Sequence, residues 1–189
     1  KNHVQKRYYF EKILAYKHSK VALVNADQYE FYSKWYYTAI RELIDIVPFK
    51  GGKTEEYKAL AQRVAPPIGV AEAKKAVRFL ERAGFIKKNK NGFYEQVEPF
   101  ITTGQEARSV AITNFQLATM DLAKAAIDRC DRDTRGISTL TFGISEEGYK
   151  AVMDRVATFN RELMEIARAD KKRDRVIHIN HQIFPISKV

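Results

Sequence analysis

The chain predicts an α+β fold, predominantly helical: a winged helix-turn-helix followed by a helix-strand-helix-strand domain. Three observations carry that expectation. Residues 33–103 run helix, helix, helix and then hairpin, the order of a winged helix. Residues 104–189 alternate long amphipathic stretches with two period-two stretches. The composition over 189 residues, 45% hydrophobic and 30% charged, is that of an ordinary globular protein. Three regions follow: a linker helix and extended arm over 1–32, the winged helix over 33–103, and an α+β dimerisation or sensing domain over 104–189.

The opening residues predict a helix over 3–16, with Val4, Tyr8, Ile13 and Leu14 among its apolar positions. VALVNADQYEFY at 21–32 mixes β-branched and aromatic residues with polar ones and reads as a strand or an extended arm. Helical spacing returns over 33–46 through Trp35, Ala39, Ile40 and Leu43, with Ser33 as N-cap. Pro48 and the Gly51-Gly52 pair stop it. A helix over about 54–64 begins with Thr54 as a capping side chain and Glu55 and Glu56 on its positive end. Pro66-Pro67 end that one.

The third helix of this unit covers VAEAKKAVRFLERAG, with Ala73, Ala76, Val77, Leu80 and Ala83 on one stripe and Gly84 placed for a left-handed C-terminal cap. FIKK and GFYEQ, separated by NKNG, predict a hairpin. EPFITTG at 98–104 reads as a strand or linker. Residues 105–130 predict one long helix with Phe115, Met120 and Ile127 on a broad apolar surface, broken by RCDRDTRG. In ISTLTFGI at 137–144, Ser138, Leu140, Phe142 and Ile144 point one way, which predicts a strand. Ser145 caps a helix reaching about Ala169, with Tyr149, Val152, Val156, Phe159, Leu163 and Ile166 on one face. A last strand places Ile177, Ile179 and Ile183 on one side, with His178, Asn180 and Gln182 on the other. Two strands make a small sheet, so they are expected to pair with another element or a second chain. A homodimer is the expected state.

The charge is uneven. Lys and Arg number 33 against 23 Asp and Glu, a formal net charge of +10. Residues 1–20 carry six basic and one acidic side chain; residues 50–103 carry eleven and six. The last 86 residues are nearly balanced, at fourteen and twelve. A basic middle implies a polyanionic partner, nucleic acid first. With Val77 and Leu80 turned inward, Lys74, Lys75, Arg78 and Arg82 face outward on the third helix, and Lys87, Lys88 and Lys90 populate the wing. These seven are the candidate DNA-binding residues, suited to phosphates and to guanine edges. The competing reading is a winged helix that serves only protein contacts or small-molecule sensing, its basic face merely solvated.

Enzymatic motifs are missing: the sequence has no Walker-type loop, GxGxxG or GxSxG. No catalytic residue, cofactor or metal site is expected. His178 and His181, three apart on a strand, point to opposite faces and do not share an ion easily. Arg129, Arg132 and Arg135 could hold a phosphorylated effector, but the interleaved Asp128, Asp131 and Asp133 favour a self-neutralised loop. Tyr29, Phe31, Tyr32, Trp35, Tyr36 and Tyr37 form the densest aromatic cluster, read as packing rather than base stacking. A single cysteine, Cys130, favours a reducing cytoplasm, and no apolar run approaches the roughly 18 residues of a membrane span. The chain opens without Met on a helical pattern, which reads as the rear portion of a longer polypeptide.

With those segments placed, the chain resembles an uncharacterised bacterial paralogous family, expanded in predatory and fibre-degrading bacteria and regarded as transcriptional regulators. The likeness rests on RYYFEKIL, DQYEFYSKWYYTAIREL, EAKKAVRFLERAGFIKKNKNGFYEQ, ITTG, ISEEGYKAVMDRVATFNRELMEIA and INHQIFPIS, in that order. It implies a Cro-type helix-turn-helix upstream of residue 1, a winged helix and a C-terminal domain of unknown function. It also implies a regulatory role, with DNA as partner and an effector still to be identified.

Overall fold

The computed structural model describes residues 21–23, 26–97, 100–102 and 110–187, with side-chain environments from Glu30 to Val97 and from Ile112 to Ser187. The helix expected over 3–16 and the start of the one expected from 105 lie outside these residues. Five α-helices and two small two-stranded sheets make the described part predominantly helical, an α+β composition.

The backbone of β1 (Val21–Leu23) pairs in parallel with β4 (Phe100–Thr102), Ala22 opposite Ile101. A 3₁₀ stretch over Ala26–Ser33 then leads into α1 (Trp35–Ile46). Helix α1 stops where Val47 turns extended, φ −113° and ψ 137°, as a residue preceding proline is driven to do. Helix α2 covers Thr54–Arg63 and α3 covers Val70–Arg82. Strands β2 (Ile86–Lys88) and β3 (Tyr94–Gln96) form an antiparallel hairpin with Lys87 opposite Glu95.

One core joins these pieces. Ile40 from α1, Leu60 from α2, Ala73, Ala76, Val77 and Leu80 from α3, and Ile86 from the hairpin are all buried in it. The predicted stripe of α3 is the face it buries. Two caps fix that helix. At its start the Glu72 carboxylate accepts from the Gly69 amide at 2.8 Å. At its end Phe85 N–H donates to Leu80 O at 2.8 Å and Gly84 N–H to Glu81 O at 3.1 Å, a Schellman pair that requires the left-handed φ of +76° at Gly84. The hairpin turn is organised by Asn89, whose side-chain oxygen accepts from the amides of Asn91 and Phe93. Tyr94 N–H donates to Phe49 O at 2.8 Å, tying β3 to the loop that follows α1.

The aromatic cluster packs. Phe31 stacks on Phe85 with centroids 4.3 Å apart, and Tyr37 stacks on Phe79 at 4.9 Å. Tyr32 meets Phe115 edge-on at 5.0 Å. The side chain of Tyr29 lies outside the described set.

Two expected caps are corrected. Lys34, not Ser33, precedes α1, and the Ser33 hydroxyl donates back to Glu30 O at 2.7 Å within the 3₁₀ stretch. Lys53, not Thr54, precedes α2, and the capping there comes from Glu56, whose carboxylate reaches back to the loop amides.

Beyond the hairpin, the chain divides into two compact units: residues to Lys124 together with Val176 onward, and Ala125–Arg175. Helix α4 covers Val110–Arg129 and α5 covers Glu146–Ala169. The expected helix-strand-helix-strand order is corrected, because neither 137–144 nor 175–184 forms a strand. Among the described residues neither segment has a ladder partner, and period-two spacing without a partner makes no sheet. Leu140 is 86% exposed and Ile177 72%. In the first unit the C-terminal segment rests on α4 by its even-numbered residues: the Asn180 amide donates to Thr119 O at 3.0 Å, and the His178 ring lies 6.2 Å from that of Phe115. In the second unit the Ser145 hydroxyl caps α5 as expected, accepting from Gly148 N–H at 3.1 Å.

Candidate nucleic-acid interface

The seven cations sit on two elements. On α3, at 100° per residue, Lys75, Arg78 and Arg82 fall within about 60° of one another on the side away from Ala73, Val77 and Leu80, with Lys74 at the margin. Lys75, Arg78 and Arg82 are exposed, and Lys74 is half-buried. Lys74 is partly committed within the fold: its Nζ donates to Thr54 Oγ1 at 3.1 Å and stands 5.5 Å from the centre of the Tyr57 ring, bridging α3 to α2. The Arg78 Nε donates at 3.4 Å to Lys74 O, directing its guanidinium along the helix surface. Arg82 pairs with Glu30 at 3.1 Å and lies over the Phe79 ring.

On the hairpin, Lys87 and Lys88 project to opposite faces because successive strand residues alternate. Lys87 pairs across the ladder with Glu95 at 3.6 Å, while the Lys88 ammonium stands 4.9 Å from the centre of the Tyr94 ring. Lys90 is exposed in the turn. The arrangement therefore brings Lys75, Arg78 and Arg82 onto one face, and it spreads the hairpin cations over both sides of the ribbon.

Sequence reading missed several residues that shape this surface. Lys50 caps the Phe93 ring at 4.4 Å beside the hairpin turn, a cation already counted in the basic segment 50–103 but not placed. The Tyr94 hydroxyl donates to Glu81 at 2.9 Å, which anchors the hairpin to α3; burial raises the Tyr94 pKa, and Glu81 adds to the effect. Arg41, 2% exposed, has no sequence signal beyond its place on an amphipathic helix. Its guanidinium pairs with Glu42, and the Gln96 amide donates both to Arg41 O at 3.1 Å and to Glu42 at 3.0 Å, so β3 is held on α1 by a polar cluster. Burial lowers the Arg41 pKa, and the charge of Glu42 acts against that.

Away from this face, Arg135 donates from Nη1 to the carbonyls of Ala126 at 3.1 Å and Cys130 at 3.0 Å, closing the end of α4. Among the described residues no group of three or more His, Cys, Asp or Glu side chains could hold a metal ion. No helix among them is long and apolar enough to cross a membrane.

Three packed helices with a hairpin, one outward helical face bearing Lys75, Arg78 and Arg82, and two further long helices define a mostly helical α+β protein with a basic surface. The chain belongs to the family described as Domain of unknown function (DUF4423), whose model matches residues 15–186. No curated protein and no solved structure matches it.

Proposed function

We propose that residues 33–103 are a winged helix that contacts DNA phosphates through α3 and the hairpin, within a cytoplasmic bacterial transcriptional regulator. The observation that carries this reading is the common outward face of Lys75, Arg78 and Arg82, opposite the buried stripe of the third helix. The order α1, α2, α3, hairpin supports it, as does the Tyr94-to-Phe49 backbone bond that joins the wing to the segment between the first two helices. Phosphate contacts of this kind give salt-sensitive affinity that depends little on sequence. Base reading then falls to side chains at the start of α3 or to a domain upstream.

Charge reversal tests it. Lys75→Glu with Arg78→Glu should weaken DNA binding and flatten its dependence on salt, by a slope of about 0.9 for each phosphate that is no longer neutralised. Equal binding by the variant, or none by the parent chain, would exclude direct contact here.

A second reading rests on a specific observation: Arg82 and Lys87 already face carboxylates, and Lys74 is engaged with Thr54. In that reading the unit is a protein-interaction or small-molecule sensor module and its cations serve the fold. The same titration separates the two.

A further inference from the structure

We propose that residues 137–144 are the edge on which a second copy of this chain docks, the two segments pairing antiparallel about a two-fold axis at Thr141. The edge belongs to the unit Ala125–Arg175 and is independent of DNA contact.

The segment ISTLTFGI lies between α4 and α5 and forms no helix, turn or strand of its own. Among the described residues no backbone amide or carbonyl from Ile137 to Gly143 meets a hydrogen-bond partner. Its apolar side chains stand in water: Leu140 is 86% exposed, Phe142 59% and Ile137 55%. No side chain from Ala125 to Arg175 is buried, so this unit has no core of its own to take them in. A period-two segment with an unpaired backbone and exposed apolar side chains is a template for strand addition.

Charge identifies the occupant. Arg135 stands just before the segment and Glu147 just after it. Glu147 is exposed in the first turn of α5 and has no ion-pair partner among the described residues. A second copy running antiparallel brings its acidic end to this basic end, and symmetry repeats the match on the other side. Register follows from the alternation, because both apolar faces share one side of the ribbon only when even-numbered residues oppose even-numbered ones. With Thr141 opposite its own copy, Leu140 falls opposite the partner's Phe142 and Ser138 opposite the partner's Ile144. Arg135 then lies beside the partner's Glu147. Leu140 and Phe142 of both copies cluster on one face, and the Thr141 hydroxyls meet on the other. Parallel pairing in register would set Arg135 against Arg135 and Glu147 against Glu147. Eight residues a side fall short of the roughly 20–30 of a standard interface, which places the expected dissociation constant in the micromolar range.

Sedimentation equilibrium of the chain tests this. At high micromolar concentration the parent should sediment at twice its 21.8 kDa mass. Thr141→Pro removes a ladder donor and should sediment as a monomer, while circular dichroism and a cooperative melt confirm that the core around Leu80 persists. Glu147→Lys leaves the segment itself intact and should raise the dissociation constant about tenfold, because it sets like charges together at both ends of the ladder. Cross-linking reads the register. In a Cys130→Ser background, Thr141→Cys should join its own copy through a short bifunctional thiol reagent. Ser138→Cys, about 20 Å from its own copy along the ribbon, should not. A parent chain that is monomeric at high micromolar concentration would leave the segment to a different protein and overturns the proposal. So does a dimer untouched by Thr141→Pro and Glu147→Lys, or self-linking of Ser138→Cys as ready as that of Thr141→Cys.

Discussion

Arg82 and Glu30 meet across 52 positions of sequence, nitrogen to oxygen 3.1 Å, the arginine at the last turn of α3 and the glutamate in the 3₁₀ stretch before α1. Both side chains face solvent, at 73% and 42% exposure. An exposed pair of this kind contributes on the order of 0–1 kcal/mol and is screened by salt. A phosphate can therefore take the guanidinium from the carboxylate at small cost. In the proposed DNA contact, the carboxylate nonetheless competes for it and repels the approaching backbone.

Removing that competitor should strengthen DNA binding. Glu30→Gln keeps the size of the side chain, loses the charge, and should tighten affinity by roughly 1.5- to 5-fold at moderate salt, the equivalent of the pair's own strength. Thermal stability should stay within about 0.5 kcal/mol of the parent. Fluorescence anisotropy against a labelled duplex measures the first and a urea melt the second. Weaker binding by Glu30→Gln would mean that the pair orients Arg82 for its contact rather than withholding it.

The left-handed cap of α3 sets the angle at which the hairpin leaves that helix. A Cβ built on Gly84 meets no atom within 4 Å, so a substitution there reports backbone strain with no steric clash added. Gly84→Ala should cost about 1–2 kcal/mol, and Gly84→Asn less, because asparagine tolerates this conformation. Urea unfolding of the two variants gives the comparison. Equal stability of all three proteins would show that the helix end can close another way.

This cap was legible in advance because its signals are local: a helical stripe, a glycine directly after it, and two β-compatible runs beyond it separated by a turn sequence. The stripe of α3 and the hairpin were readable for the same reason. Polar contacts between distant positions were not. Arg41 looks like any outward arginine of an amphipathic helix, yet its side chain is buried and pairs with Glu42, while Gln96 of β3 donates to the Arg41 carbonyl and to Glu42. The segments 137–144 and 175–184 failed differently. Alternation states which residues share a face but not whether another strand lies alongside, and the C-terminal segment instead places His178 and Asn180 on α4. The caps expected of Ser33 and Thr54 gave way to hydroxyl contacts with Glu30 O and Lys74. Of the candidate interface, the basic helix face could be read from spacing, whereas the carboxylates that engage Arg82 and Lys87 could not.

Alkaline pH should loosen the core at Tyr32 and Tyr36. Burial pushes both phenols up to about 12 from an ordinary value of 10; at Tyr32 the charge of Arg41 acts against the shift, and at Tyr36 Glu72 reinforces it. The folded chain thus holds these protons more tightly than the unfolded one. Their contribution to stability is complete below about pH 10 and is lost as pH rises toward about 12. Urea midpoints should fall across that window, and the fall should be shallower in Tyr32→Phe. An ultraviolet titration in which all the tyrosines ionise together near the ordinary value would contradict the burial of these two.

Acid should act through Glu56. Its carboxylate accepts from the amides of Gly52 at 2.8 Å, Lys53 at 2.9 Å and Lys50 at 3.3 Å, gathering the loop before α2 onto the helix start. The Lys53 amide is the largest cause holding its pKa below the ordinary 4.5, with Gly52 and Lys50 adding to it and partial desolvation opposing. A carboxyl whose folded value is depressed contributes fully above its unfolded value, and that contribution is lost as pH falls through the folded one. Glu56→Gln keeps an acceptor but removes the charge, and should cost about 1 kcal/mol near neutrality, the usual scale of a missing cap. The gap between parent and variant should narrow as pH falls below the ordinary carboxyl value of 4.5 and through the lower folded one, where the parent's carboxyl also becomes neutral. Paired urea melts across that range measure it. A gap that stays constant with pH would assign the effect to shape rather than to the charge on Glu56.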